Sequence, residues 1–287
     1  MKLRLVVALV LLACAFASHA ATRAEIRKSA EMSMLVTGTI NIEKDGSVQR
    51  YQLDQAEKLP PGVVQLLAKA VPGWRFEPIQ VDGTVVRARA KMGVRLIAKQ
   101  REDGNYSLRV GGASFGEEGS LKDEEAVRVL GTLKPPRYPQ DAVLSGVQGT
   151  VYLVLKVGRD GNVADVVEEQ VNLTVVGNER QMRDARDVLA KAATVAARKW
   201  RFTPPTKGPD VQDDYWSVRV PVDFWLCDDC KVGKPTYGTW SAYIPGPKNS
   251  VPWISEEQNR MNPDALMAGV AQPVGSGPRL LTPVGEG

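Results

Sequence analysis

An Asp-Gly dipeptide followed further on by Trp-Arg-Phe-x-Pro occurs twice in this chain, and no other feature limits its fold so tightly. The first set is Asp45-Gly46 with Trp74-Arg75-Phe76 and Pro78. The second is Asp160-Gly161 with Trp200-Arg201-Phe202 and Pro204. Around each set the hydrophobic period changes in the same order. Val36, Gly38, Ile40 and Ile42 alternate with polar residues, the period of a half-buried strand. Lys44-Asp45-Gly46-Ser47 turns this strand back into Val48–Leu53, since glycine accepts the positive φ such a turn needs. Val63, Val64, Leu67, Ala68 and Val71 then repeat at helical spacing, bounded by Pro60-Pro61-Gly62 and Pro72-Gly73. Val86, Ala88, Ala90, Met92, Val94 and Leu96 return as a long strand, and Tyr106–Val110 pairs back across Asp103-Gly104.

The second unit begins at Lys134-Pro135-Pro136-Arg137-Tyr138-Pro139. One or two helical turns over Gln140–Ser145 end at Gly146. Val151, Leu153, Leu155 and Val157 form an alternating strand, and Asn162–Val171 returns after Gly158-Arg159-Asp160-Gly161. Met182, Ala185, Leu189, Ala192 and Ala196 define the apolar stripe of a long helix, with Val188 and Val195 beside it. Trp216, Val218, Val220, Val222 and Phe224 form one apolar face of the closing strand. Pro221 sits on its other face and has no N–H to donate, so one side of the strand near it is an edge or a bulge. The interval from Asp45 to Trp74 is shorter than that from Asp160 to Trp200, so the first helix is the shorter one. Gly38-Thr39 and Gly149-Thr150 look alike, but their distances to the following Asp differ, which reads as out of register.

The predicted fold class is α+β. It comprises two tandem modules, each a β-hairpin, a covering helix and a returning strand, followed by an extended Pro/Gly-rich tail. Trp74, Phe76, Trp200 and Phe202 are expected in the core, where burying one such ring contributes on the order of 2 kcal/mol. The expected boundaries are 31–111 for the first module, 112–132 for a linker, 133–230 for the second module and 231–287 for the tail. A short helix is open to residues 123–130. Prolines from Pro235 to Pro283 argue against regular structure in the tail, although Tyr237, Trp240, Tyr243 and Trp253 can pack part of it down. The final twenty residues are expected to be disordered. Arg87, Arg89, Lys91 and Arg95 make one face of a strand basic. Between an acidic docking site and a solvated face with local carboxylate pairs, the latter is the expectation.

The N-terminus has the form of an export signal. Lys2 and Arg4 precede the apolar run Leu5–Leu12, and Ser18-His19-Ala20 precedes Ala21 in small-x-small form, giving residues 1–20 as a cleaved peptide. Leu11-Leu12-Ala13-Cys14 resembles a lipobox, so lipoprotein anchoring at Cys14 stays open as an alternative. His19 is the single histidine, so cleavage would leave no histidine base, catalytic triad or histidine metal ligand. The formal net charge of +4 falls further when Lys2 and Arg4 are lost, too little for a nucleic-acid-binding protein. No cofactor, metal or enzymatic chemistry is expected.

Besides Cys14, the cysteines are Cys227 and Cys230, separated by two aspartates. Catalytic pairs sit at helix N-termini or beside cations. This one follows a strand and encloses two carboxylates, which favours a structural disulfide over a thiol oxidoreductase.

The second module resembles the C-terminal domain of the TonB energy-transducer family. The residues that carry the likeness are Tyr138-Pro139, Ala142, Gly146, Gly149, Val151, Asp160-Gly161, Trp200-Arg201-Phe202-x-Pro204 and Val218-x-Val220-x-Val222-x-Phe224. Residues 34–98 resemble a degenerate copy without the Tyr-Pro start. The resemblance implies a periplasmic α+β unit that grips the TonB box of outer-membrane receptors by strand addition. On that basis Val218, Val220, Val222 and Phe224 mark the contact edge, flanked by Pro135, Pro136, Arg137, Tyr138 and Pro139. The implied partner is an outer-membrane TonB-dependent receptor or another envelope protein, and homodimerisation stays open. A full transducer also needs a membrane anchor coupled to an ExbB/ExbD-type motor and a long Pro-rich span. The cleaved signal and the short, glycine-broken linker count against that coupling here. A structural envelope protein or lipoprotein is the alternative reading.

Overall fold

The computed structural model describes residues 23–81, 83–117, 124–226, 236–260, 263–266, 270–275 and 277–284. The signal segment with Cys14 and the Cys227–Cys230 pair lie outside the described residues. A short helix, α1 (Arg23–Lys28), leads into the first sheet. The alternation around Val36 forms β1 (Glu31–Ile42), and β2 (Val48–Leu53) returns against its second half. Helix α2 (Pro61–Ala70) opens on a proline and buries Val63 and Leu67. A small hairpin, β3 (Gln80–Val81) and β4 (Thr84–Val85), precedes β5 (Ala88–Gln100), which pairs with β1 over its length. The next strand, β6 (Tyr106–Glu117), runs further than the sequence suggests. Gly112, expected to open the linker, lies inside it together with Gly111. At Gly111 the Ile97 side chain crosses so closely that a Cβ would stand 2.3 Å from its Cδ1.

The expected helix over residues 123–130 is absent among the described residues. Instead β7 (Arg128–Val129) pairs with β10 (Phe202–Thr203), and Val127 is buried in the second core. Helix α3 (Gln140–Leu144) ends at Gly146 with φ 64°. Strands β8 (Gly149–Gly158) and β9 (Val163–Leu173) make the second hairpin. Helix α4 (Glu179–Ala197) starts at a capping box, in which Asn178 and Gln181 each accept from the other's backbone amide. Strand β11 (Tyr215–Phe224) closes the unit beside β8. The architecture is α+β, mostly strands with few helices.

The repeated sequence sets serve one repeated lock. Gly46 and Gly161 sit in their turns at φ 80° and 73°. The Phe76 amide donates to the Gly46 carbonyl at 2.8 Å, and the Phe202 amide to the Gly161 carbonyl at 2.9 Å. The hairpin turn is thereby fastened to the segment leaving the helix, which brings Trp74, Phe76, Trp200 and Phe202 into the two cores. Gly38 and Gly149 are also equivalent, contrary to the register read from the sequence. Each faces the end of its returning strand, at Leu53 and Leu173. A Cβ on either would stand 2.2 Å from the carbonyl oxygen of Gln52 or Asn172. The second hairpin is longer than the first, which displaced the glycine from its Asp without changing its task.

Helix α4 is turned relative to the expected stripe. Met182, Ala185 and Leu189 are buried, but Ala193 and Ala197 complete the buried face, while Ala192 and Ala196 are only half-buried. The tail departs most from expectation. β12 (Ser241–Tyr243) pairs with β1, and the next residue, Ile244, exchanges backbone hydrogen bonds with Leu173 of β9. Lys248 bridges to Gln170, helix α5 (Glu256–Arg260) follows, and Ala265 and Leu266 are buried. β13 (Gln272–Pro273) then pairs with β11, and Leu280 bridges to Phe76. The last twenty residues, where described, therefore continue a strap across both units. Its backbone groups find partners on strand edges that would otherwise face water.

Candidate partner-binding site

The closing strand presents two different faces to a partner. The side chains of Val218, Val220, Val222 and Phe224 point into the second core and are buried. The strand's outer backbone edge lies on the side away from β8. On that edge the Val274 amide donates to the Ser217 carbonyl, and β13 covers Val218 and Arg219. The alternation of an antiparallel strand then turns the backbone of Pro221 and Asp223 to the same outer side. Proline thus falls where its missing N–H leaves the ladder with β8 intact. Pro273 of the tail is placed similarly, opposite Val218 at a position that donates nothing. Beyond Arg219 no described strand pairs with this edge.

This unpaired end, where Pro221 is buried and Asp223 exposed, borders a cavity of about 380 Å³ between the two sheets. Thr150, Tyr152, Pro221 and Asp223 line it from the second unit, and Thr37 and Arg95 from the first. The Thr150 hydroxyl donates to Asp223 at 2.7 Å. The indole N–H of Trp225 is buried beside the cavity and has no hydrogen-bond partner among the described residues.

The proline segment is held against the helix side of the same unit. The Tyr138 hydroxyl donates to the Val147 carbonyl at 2.6 Å, and its ring meets Phe224 edge to face at 5.3 Å. Burial pushes the Tyr138 phenol up to about 12. The Trp200 indole donates to the Lys134 carbonyl at 2.8 Å, and the Leu130 amide to the Arg201 carbonyl at 2.9 Å. Pro135, Pro136, Arg137 and Pro139 consequently form a fixed wall facing α4, on a different side of the unit from the β11 edge. Tyr138 joins the two regions through its contact with Phe224.

The basic stripe that runs from Arg87 into β5 is satisfied in part. Arg87 meets Glu43 at 2.7 Å, and Arg95 donates to the Ser33 hydroxyl at 3.5 Å. Among the described residues no helix is long and apolar enough to cross a membrane.

Part of the chain is similar to known proteins. It is 39% identical over 94 residues to "Protein TonB" of two strains of Xanthomonas campestris pv. campestris, covering 33% of this chain and 36% of the relative. It is 35% identical over 91 residues to "Protein tonB2" of Pseudomonas aeruginosa, covering 32% of this chain and 28% of the relative. The chain thus spans about a third of the length of the curated relatives it matches. No family model matches, and neither does any solved structure.

Proposed function

We propose that this chain is a periplasmic protein-binding protein whose second unit, residues 133–230, is a TonB C-terminal-like module. The first unit, residues 31–111, is a degenerate copy of the same plan. The module takes an extended segment of an outer-membrane receptor, or of another envelope protein, as an added strand on β11. Its role lies in TonB-dependent transport and involves no catalysis. One observation carries this reading: the outer edge of β11 over Val220–Phe224 has no described strand beside it, although the chain's own tail already pairs with the same edge at Val218 and Arg219. Strand addition draws its affinity from such backbone groups, so buried side chains on β11 are no obstacle. The relatives named TonB over a third of the chain support the same assignment.

Labelled peptides of the TonB-box type, titrated against the full chain by fluorescence anisotropy, test the proposal. Saturable binding is expected, and Pro221→Val, which restores a donor on the outer edge, should tighten it. Absence of binding to both proteins at millimolar peptide overturns the reading.

A further inference from the structure

A second surface, on the helix side of the same unit, has features that strand addition does not use. Val188, Ala192, Val195 and Ala196 stand outside the buried stripe of α4, and Val195 is 53% exposed. Together they floor a groove of about 810 Å³ between α4 and the wall formed by residues 130–139. Leu130, 60% exposed, adds to the apolar floor. The four helix residues span about two turns, or ~12 Å of helix.

Charge rims this floor on both sides. Lys191 and Lys199 line it from the helix, and Lys134 and Arg137 from the opposite wall. No Asp or Glu is among the described residues lining it, and none of these four cations forms an ion pair with a described residue. Lys199, just past the C-terminus of α4, also offsets the negative end of that helix. Lys134 and Arg137 have no such duty.

The walls decide what shape of partner fits. Helix α4 has committed its backbone to its own hydrogen bonds. The facing wall holds Pro135, Pro136 and Pro139, which have no N–H. The helix offers no strand edge and the prolines thin out the donors of the facing wall, which favours a segment that satisfies its own backbone, as a helix does. The groove is also preformed, since the Trp200 indole and the Leu130 amide pin its wall.

We infer that this groove docks an acidic amphipathic helix of a partner protein, with apolar residues on the floor and carboxylates against Lys134, Arg137, Lys191 and Lys199. The site is separate from the β11 edge, so the two can fail independently.

The test uses the full chain and a labelled helical peptide with Leu at positions i, i+3, i+4 and i+7 and Glu on its flanks. A second peptide carries Gln in place of every Glu. The acidic peptide should bind, and roughly tenfold more tightly than the Gln peptide at low salt, with the advantage shrinking as salt screens it. Lys191→Glu/Lys199→Glu should weaken it roughly fivefold or more, whereas the same charge change at exposed Lys44 and Lys69 should not. Binding of TonB-box peptides should be unchanged by Lys191→Glu/Lys199→Glu, which separates this site from strand addition. Equal binding of the two helical peptides, or equal loss in both double variants, overturns the inference. Binding to anionic phosphatidylglycerol vesicles without binding to the acidic peptide does so too, and assigns the groove to a lipid surface.

Discussion

Arg219 of β11 and Glu169 of β9 form a two-pronged ion pair, Nε to Oε2 at 2.6 Å and Nη2 to Oε1 at 2.9 Å. Glu169 is fully buried and Arg219 is 5% exposed. The tail closes over the pair. Lys248 approaches Glu169 at 3.6 Å, and the Gln258 carbonyl accepts from Arg219 at 3.2 Å. The pair is therefore also the fastening point of the strap. Glu169→Ala would leave a buried guanidinium without its anion and should lower unfolding stability by roughly 3–5 kcal/mol, read by chemical denaturation. Replacing both residues with leucine should recover most of that loss. A single variant no weaker than a surface substitution would show that the pair is not buried in solution.

The two turn glycines make a separable prediction. Gly161 combines a φ of 73° with a Cβ position 2.1 Å from the Phe202 carbonyl oxygen. Gly104 has a φ of 83° with nothing within 4 Å. Alanine at Gly104 should cost about 1–2 kcal/mol for the left-handed backbone alone. Alanine at Gly161 should cost clearly more, because the turn must also move off the Phe202 strand. Equal costs at the two sites, measured by thermal or denaturant unfolding, would remove the lock from the account.

Tyr138 should couple stability to alkaline pH. Burial raises its phenol from the ordinary 10.0 to about 12. A group raised in the folded state contributes stability that is fully present below its unfolded value and lost as pH rises through the folded one. The chain should therefore lose stability between about 10 and about 12, and Tyr138→Phe should remove that part of the pH dependence. In a phenolate absorbance titration the same variant should lack the latest component.

Asp160 works in the opposite direction. Hydrogen bonds from the backbone and then the side chain of Asn162 hold its carboxyl below the usual carboxylate value of 3.8. Its contribution is present above that value and lost as pH falls through the lower folded one. Asp160→Asn should therefore flatten the acid limb of the stability profile while leaving neutral-pH secondary structure, read by circular dichroism, unchanged.

The local plan of each unit was legible because its signals lie close together in sequence. Period-two runs, the Asp-Gly turns and the helical stretch each specify a short element by local sterics and one-sided burial. The stripe of α4 was misplaced by one residue because alanines fill positions 192, 193, 196 and 197, and alanine suits either face. Only packing against β8 and β9 chose Ala193 and Ala197 for the core. The residues left over, with Val195, then became the floor of the groove. Gly38 and Gly149 misled for a different reason. Their distances to the turn measure hairpin length, whereas their function depends on where the partner carbonyl crosses.

By itself the sequence determined the α+β alternation, the Asp-Gly turns and the missing donor at Pro221, whereas the lock of Gly46 to Phe76 and of Gly161 to Phe202 appeared only in the folded chain. The first three follow from backbone geometry and residue chemistry within a few neighbours. The tertiary structure alone decided the course of the tail, the pairing of Glu169 with Arg219 and the cationic groove. Each joins residues far apart in the chain, and their meeting depends on which edges and faces stay open after both sheets have formed. The tail lacks a long periodic pattern because its partners are existing strand edges, which short pieces can satisfy.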